Sequence, residues 1–554
     1  MIVGLVSAFQ EVSVREARLG RFVANLEFER ALLTKSRAQE VHFFFPTVTA
    51  RSTFQKAFSD PIRAREGGVR LFSFLELPSC LRSYDYSALH QADLISYYPA
   101  LAFVRNRFAP RTPLTAVTHT ISYREIISEN FKKLLPGGPM PFDALVGTSR
   151  TAVGVIRKNL EHLARTLSGV FGTTLSFPGQ VVRIPLGVDS ELYCPGNRGQ
   201  ARSRMELPAE AFIALSLGRF NYFEKMDLIP LLRLWTEVVG RPGPDQPILL
   251  LAGAEEIGYA SLLKEQIQAL GLEGSVRVYP NPDHPVKVDL LRSADIFLSL
   301  ADNVQETFGI SVIEAQAAGL PVLVSNFDGY KDLVDHGETG FLIPTAWAPD
   351  HPEARHLSGI LLNPLSHLVQ SQGTIISLPD LGRAIMTLRA DREKRAEMGQ
   401  RARERVEKFF DWKVVMRAYE DLWTDLKERA LKYEGPAGRR DDPFAFSWAD
   451  LFDHYPSTKL SGKERLLLTA FGKEFLREQE RPTMYSDVAP LLSSELLKVL
   501  ARTLKSAPRR VDELRGRLRE PGSALIDYHL HWLIKNHLIR IEGLEEEEKE
   551  KRDC

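Results

Sequence analysis

Residues 299–344, SLADNVQETFGISVIEAQAAGLPVLVSNFDGYKDLVDHGETGFLIP, hold in order the end of an apolar strand, a polar loop, a helical stretch and a second apolar strand. Glu306 falls just before the expected helix start near Phe308 and Gly309, and Glu314 about one and a half turns into it, roughly 8 Å along the axis. Two carboxylates at that spacing can address different hydroxyls of one extended ligand. Between them lie the unpaired N–H groups of a helical first turn, which suit a phosphate, and Gly309 keeps the backbone accessible there. An amphipathic helix with one solvated Glu at each end is the plain alternative. It accounts less well for an E-x7-E set inside a strand–loop–helix–strand context.

Outward from this stretch, short apolar runs alternate with segments of helical period, as expected for parallel strands and crossover helices. A first series has strand candidates at Ile2–Ser7, Val41–Phe45, Val69–Phe72, Leu94–Tyr97, Leu114–Thr118 and Phe142–Val146, with Val181–Pro185 extended after them. A second runs through FIALSLGRF, ILLLAGA, SVRVY, DIFLSL, PVLVS and GFLIP. Between them CPGNRGQARSRMELP, residues 194–208, has no period and is read as a linker. The expected architecture is α/β: two Rossmann-like domains, 1–190 and 205–385, facing a cleft, which is the natural ligand site. A helical segment, 386–432, crosses back over them, a mainly helical module follows at 445–544, and residues 545–554 form a charged tail.

In SLGRFNYFEKMDLIPLL, Arg219 and Lys225 follow the first strand of the second domain and hang over the cleft mouth, where their charges can neutralise a diphosphate without a metal. In PLTAVTHTISYRE, His119 stands at the carboxyl end of a first-domain strand. Together with Glu306-Thr-Phe-Gly-Ile-Ser-Val-Ile-Glu314 and AAGLPVLVS, these segments resemble the retaining glycosyltransferases of family 4, which have the GT-B fold, over about residues 1–430. The resemblance implies that Arg219 and Lys225 bind the diphosphate of a nucleoside diphosphate sugar, Glu306 the sugar and Glu314 the ribose, with Phe308, Gly309 and Ile310 on the donor side and His119 at the reacting face. Glu306 and His119 are then the catalytic candidates.

Several positions depart from the family pattern. Met226 stands where G-R-x5-K-G has its second Gly, and Leu186 where I-P-N-G-V-D has Asn; Gly187 and Asp189 read as turn residues. The glycine-rich loop after the first strand is reduced to AFQEVSVREARLGRF with Gly20 alone, and Asp302 and Asn303 are read as supporting the sugar pocket. No D-x-D after an apolar strand, His pair at helical spacing, P-loop or clean G-x-G-x-x-G appears, so neither a metal nor a cofactor is expected and the nucleotide sugar enters as substrate.

The module after YEGPAGRRDDP is similar to a winged helix, with Leu530, Trp532, Leu533, Ile534 and Leu538 as the core face of its third helix. Arg509, Arg510, Arg515, Arg517 and Arg519 form its basic cluster, but the recognition-helix position carries Asp527, His529 and Trp532, which favours a protein partner or dimerisation over nucleic acid.

The chain has 554 residues with 71 Lys+Arg against 71 Asp+Glu, which argues against a partner held by bulk charge. Three scattered cysteines, Cys80, Cys194 and Cys554, exclude a disulfide framework and fit a reducing cytoplasm. No apolar run reaches the ~20 residues of a membrane span, so a peripheral position at the inner membrane face, through Arg105, Arg107, Arg111, Lys132 and Lys133, is the alternative to free solution. The acceptor is read as a glycan, a lipid-linked or a small-molecule hydroxyl. Rival readings are a glycosidase using Glu306 and Glu314, and a non-catalytic sugar-nucleotide-binding regulator or interaction scaffold using the C-terminal module.

Overall fold

The computed structural model describes residues 1–6, 20–92, 97–240, 246–348, 351–357, 359–361, 363–457, 460–517 and 522–542. They form two compact units: one of Met1–Phe45, Thr49–Phe72 and Cys80–Asp442, the other of Pro46–Val48, Ser73–Ser79 and Pro443–Cys554.

The first unit holds two sheets. One contains β1 (Ile2–Val6), β2 (Glu40–Phe45), β3 (Val69–Ser73), β4 (Ala88–Gln91), β5 (Leu114–Thr118), β6 (Ala144–Gly147) and β7 (Gln180–Arg183), in the order β3-β2-β1-β4-β5-β6-β7. The other contains β8 (Ile213–Leu217), β9 (Ile248–Gly253), β10 (Val276–Pro280), β11 (Ile296–Ser299), β12 (Val322–Ser325) and β13 (Gly340–Ile343), in the order β10-β9-β8-β11-β12-β13. Both orders run outward from the first strand and then reverse, so each sheet has a switch point at its centre, β1/β4 and β8/β11, where a crevice opens at the carboxyl ends. Every residue of β5, β8, β9, β11 and β12 is buried, as parallel strands covered on both faces require.

Of the stretch expected at 94–97, residues 94–96 lie outside the described residues; the central strand Ala88–Gln91 is not among the expected strands. Its two buried polar residues break the apolar run that sequence reading depends on. His90 is accommodated by a 2.9 Å bond between Nδ1 and Thr115 Oγ1 and by ring contacts with Phe28 and Tyr419, while burial pushes its pKa down to about 3 and keeps it neutral. Within the stretch read as a linker, Arg198–Arg204 is helical: Asn197 caps it through Gln200 N, and buried Arg202 donates to Asp295 Oδ2 at 2.9 Å. The charge that makes this segment look like linker is spent internally.

The helix Trp412–Lys432 buries Trp412, Val415, Met416, Tyr419 and Trp423 in the first domain's core with Val3, Leu5 and Phe28, and Trp423 Nε1 donates to Thr115 Oγ1 at 3.0 Å. Gly187 is needed for this approach rather than for a turn: a Cβ there would lie 2.4 Å from the Trp412 indole. Asp189 does cap a turn, accepting from Glu191 N and Leu192 N.

Arg105 does not belong to a first-domain surface patch. Arg105 is fully buried and donates to both carboxylate oxygens of Asp143, at 2.8 and 2.7 Å; Asp143 also accepts from Leu114 N and Met140 N. Lys132 pairs with Glu129, and Arg107 lies 3.9 Å from Asp441.

The second unit contains a three-stranded antiparallel sheet, β17-β16-β18, of β16 (Arg465–Leu468), β17 (Arg509–Arg510) and β18 (Ile539–Ile541); β14 and β15 (Thr345–Trp347, Thr374–Ile376) form a two-stranded antiparallel pair in the first unit. Helices Ser494–Thr503, Val511–Arg517 and Ser523–Lys535 accompany the sheet. Leu530, Leu533 and Leu538 are buried in its core, with Trp532 and Ile534 half-buried against it. Three of the arginines are paired locally: Arg515 binds both Asp527 oxygens at 2.8 and 2.9 Å, and Arg509 and Arg510 lie within 3.7 and 3.6 Å of Glu513 and Asp512. Arg519 and the tail at 545–554 lie outside the described residues. Among the described residues no helix is long and apolar enough to cross a membrane.

Candidate functional site

The loops after β8 and β11 place the charged residues. Asn221 organises the first: its Oδ1 accepts from Phe223 N and Glu224 N, and its carbonyl from Lys225 N, a turn that aims Arg219 and Lys225 the same way. Met226 buries its side chain in the second domain's core, and Gly218, where a Cβ would stand 2.9 Å from Met226 Cε, supplies the room. The missing second glycine is thereby accounted for. In the second loop Asn303 Oδ1 accepts from Gln305 N at 2.9 Å and its carbonyl from Glu306 N at 3.2 Å. The helix Ile310–Ala317 then begins at Gly309, with φ 109° and no side-chain cap; a Cβ there would be strained and 2.4 Å from the Tyr330 ring.

All eight residues singled out in the sequence, His119, Arg219, Lys225, Glu306, Phe308, Gly309, Ile310 and Glu314, line a single cavity of about 560 Å³ within the first unit. Lys225 Nζ donates to Glu306 Oε2, and their side chains are 13% and 12% exposed. Burial alone would raise the Glu306 pKa, but the Lys225 charge and hydrogen bond, the Phe308 N–H at 3.2 Å and Arg219 hold it below the usual carboxylate range. Arg219 donates to Glu256 Oε2 at 3.0 Å and lies 3.8 Å from Glu224. Glu314 Oε1 accepts from Lys287 Nζ at 2.6 Å. Each of these three cations is thus matched with a carboxylate.

His119 lines the cavity with its ring, while its Nε2 donates to Asn25 Oδ1 at 2.9 Å and to Ala92 O at 3.2 Å. Neither acceptor is a proton source, so Nε2 carries the hydrogen. The loop that follows is tied to the second domain: Thr307 Oγ1 donates to His119 O at 3.3 Å, Gln305 Nε2 to Thr120 Oγ1 at 3.4 Å, and Ser122 Oγ to Gln305 Oε1.

Asp302 and Asn303 do not line the cavity but support its floor. Asn303 does so through the turn above. Asp302 is buried beside Asp227, whose N–H it accepts at 3.3 Å, and burial pushes its pKa up to about 7. The loop segment 7–19, including all of the reduced glycine-rich stretch before Gly20, lies outside the described residues.

Sequence reading missed Glu224, Tyr123, Gln305 and Lys287 in the cavity wall. Tyr123 OH donates to Glu224 Oε1, and the Glu224 carboxyl is lowered because His367, Tyr123 and Arg219 outweigh its burial. Glu224 adjoins Lys225 in sequence and was within reach of motif reading. Lys287 was not, because only the β10-β9-β8-β11 order brings its helix beside Glu314.

Residues 198–360 match the family model of glycosyl transferases group 1. D-inositol 3-phosphate glycosyltransferase 1 of Catenulispora acidiphila is 29% identical over 276 residues, 47% of this chain and 60% of that protein. The D-inositol 3-phosphate glycosyltransferase of Saccharomonospora viridis is 31% identical over 202 residues, 35% of this chain and 45% of that one. The chain therefore spans 60% or less of the length of these curated relatives. Among solved structures, Anabaena HepE in complex with UDP superposes with a TM-score of 0.52 at 19% identity, covering 76% of this chain and 99% of that one. Sucrose-phosphate synthase from Thermosynechococcus elongatus gives 0.52 at 19% identity, with 77% and 98% covered.

The fold is GT-B.

In a GT-B chain the cavity described above stands between the two Rossmann-like domains, and its charged residues lie on the domain that carries the family match. Among the described residues no group of three or more His, Cys, Asp or Glu side chains could hold a metal ion.

Proposed function

We propose that this chain is a retaining glycosyltransferase that moves a hexose-type sugar from a nucleoside diphosphate donor to an acceptor hydroxyl without a metal. The observation that carries the reading is the convergence of Arg219, Lys225, Glu306 and Glu314 on one cavity at the open, glycine-started end of the helix Ile310–Ala317. Arg219 and Lys225 take the diphosphate, leaving their carboxylate partners for it. Released from Lys225, Glu306 accepts from sugar hydroxyls, and Glu314 accepts from the ribose. The helix N-terminus adds its partial positive charge beside the diphosphate.

In the transfer the bond between the anomeric carbon and the departing phosphate oxygen breaks, and the acceptor oxygen bonds to that carbon on the same face. The acceptor proton passes to the departing phosphate oxygen. His119 lines the reacting face, its ring fixed in place by the Nε2–H bonds to Asn25 and Ala92. Fixed donors aimed at a developing phosphate charge supply the main rate effect.

A glycosidase reading fits less well. Its general acid needs a raised carboxyl pKa, whereas Lys225 holds Glu306 low. The C-terminal unit is assigned to protein partnering or dimerisation, as a winged-helix-like module whose Arg509, Arg510 and Arg515 are matched by Glu513, Asp512 and Asp527. A cytoplasmic location completes the reading.

A thermal-shift screen of UDP-, GDP- and ADP-sugars, with and without chelator, tests the donor class. One donor should raise the melting temperature in both conditions, since a ligand at 100 times its Kd stabilises by about 2.7 kcal/mol. A shift abolished by chelator contradicts the metal-free clamp.

A further inference from the structure

Lys287 stands apart from the two diphosphate cations. It projects from the helix His284–Ser293, and its Nζ donates to Glu314 Oε1 at 2.6 Å and to Tyr193 OH at 3.1 Å, 5.0 Å from the centre of the Tyr193 ring. Glu314 is nearly buried, its side chain 5% exposed against 24% for Lys287. Glu314 lies four residues beyond Ile310, about 6 Å along the helix from its open end, so Lys287 serves the end of the cavity away from Lys225 and Gly309. Carboxylates crowd the same place: burial first and then Arg30, Asp189 and Glu314 shape the Glu27 carboxyl, which is raised, with Lys287 opposing the rise.

Resting on the reading of Glu314 as the ribose carboxylate, we propose that Lys287 is the positioning residue for donor recognition: it binds one Glu314 oxygen, holds the carboxylate in one rotamer, and leaves the second oxygen for a ribose hydroxyl. Tyr193, from the segment that joins the two domains, fixes the ammonium in turn. The pair gives the cavity a preference for a ribonucleoside over a deoxyribonucleoside diphosphate. Holding one long side chain in its bound rotamer is an effect of about tenfold on affinity. Lys287 touches the donor only through Glu314, which separates its role from that of Arg219 and Lys225.

The test is calorimetric titration with UDP, GDP and ADP and with the 2′-deoxy and 3′-deoxy forms of whichever binds, on the full chain and on K287M, K287R, Y193F and E314Q. K287M should weaken the ribonucleotide about tenfold while leaving the already weaker binding of one deoxy analogue within about twofold. K287R should recover most of the loss, and Y193F should show a smaller, equally ribose-dependent loss, which carries the comparison should K287M not fold. Equal weakening of ribo and deoxy ligands, or no weakening, overturns the proposal, since Lys287 would then be a general anion attractor or a bystander. E314Q with undiminished ribo-over-deoxy preference, or a wild-type chain that binds none of the three diphosphates, overturns instead the donor reading on which the proposal rests.

Discussion

Lys225 and Glu306 are each other's partner in the cavity, so each residue's behaviour depends on the other. Removing the carboxylate in Glu306→Gln should lower kcat/KM by at least about 100-fold, roughly 3 kcal/mol, with the melting temperature little changed. In Lys225→Met, burial acts on Glu306 with its main opposing charge gone, so the carboxyl should titrate above the ordinary range. Residual donor binding by that variant should then fall at mildly acidic pH where wild type is flat, as a pH series of calorimetric titrations would read. Asp302 gives a separate signature. Its pKa is about 7 in the folded chain against an ordinary 3.8, so the folded state holds the proton more tightly. Its contribution to stability is present in full below pH 3.8 and is lost as pH rises through about 7. Asp302→Asn should remove that slope, and denaturant unfolding at pH 5 and pH 8 compares the two chains.

Elements explain why some of this was legible in the sequence and some was not. The segment from Glu306 to Glu314 could be read because strand, Asx-turned loop and Gly309-started helix are contiguous, and the cavity wall they build is local. The strand Ala88–Gln91 could not, because His90 and Gln91 are buried polar residues that break the apolar run, and the partners that accommodate His90, Thr115, Phe28 and Tyr419, are all distant in sequence. Arg105 reads as surface charge for the same reason: its partner Asp143 is 38 residues away. That pair also ties the β5 start, through Leu114 N, to the turn at Met140. Arg105→Ala leaves a buried carboxylate uncompensated and should destabilise the first unit by ~3–5 kcal/mol, measurable by chemical denaturation. Gly309→Ala should be costly for another reason, combining a φ of 109° with a collision against Tyr330; circular dichroism melting would register it.

For the whole molecule, two similar sheets meet across a cavity to which the second contributes most of the charge and the first contributes His119, Thr120 and Tyr123. They are tied at more than the cavity: Arg150 N and Nε donate to Asp332 at 2.7 and 2.6 Å, and Thr151 Oγ1 to Asp328 O at 3.1 Å. A balanced charge of 71 against 71 conceals this arrangement, because each cation of the cavity has a carboxylate beside it. The most direct measurement of the central claim is nucleoside diphosphate release, in chelator, from the nucleotide sugar that stabilises the chain, comparing wild type with E306Q and following the anomer of the released or transferred sugar by NMR. The account predicts release with the anomeric configuration retained, reduced at least about 100-fold in E306Q at an unchanged melting temperature. Equal release by both chains, or an inverted product, would contradict it.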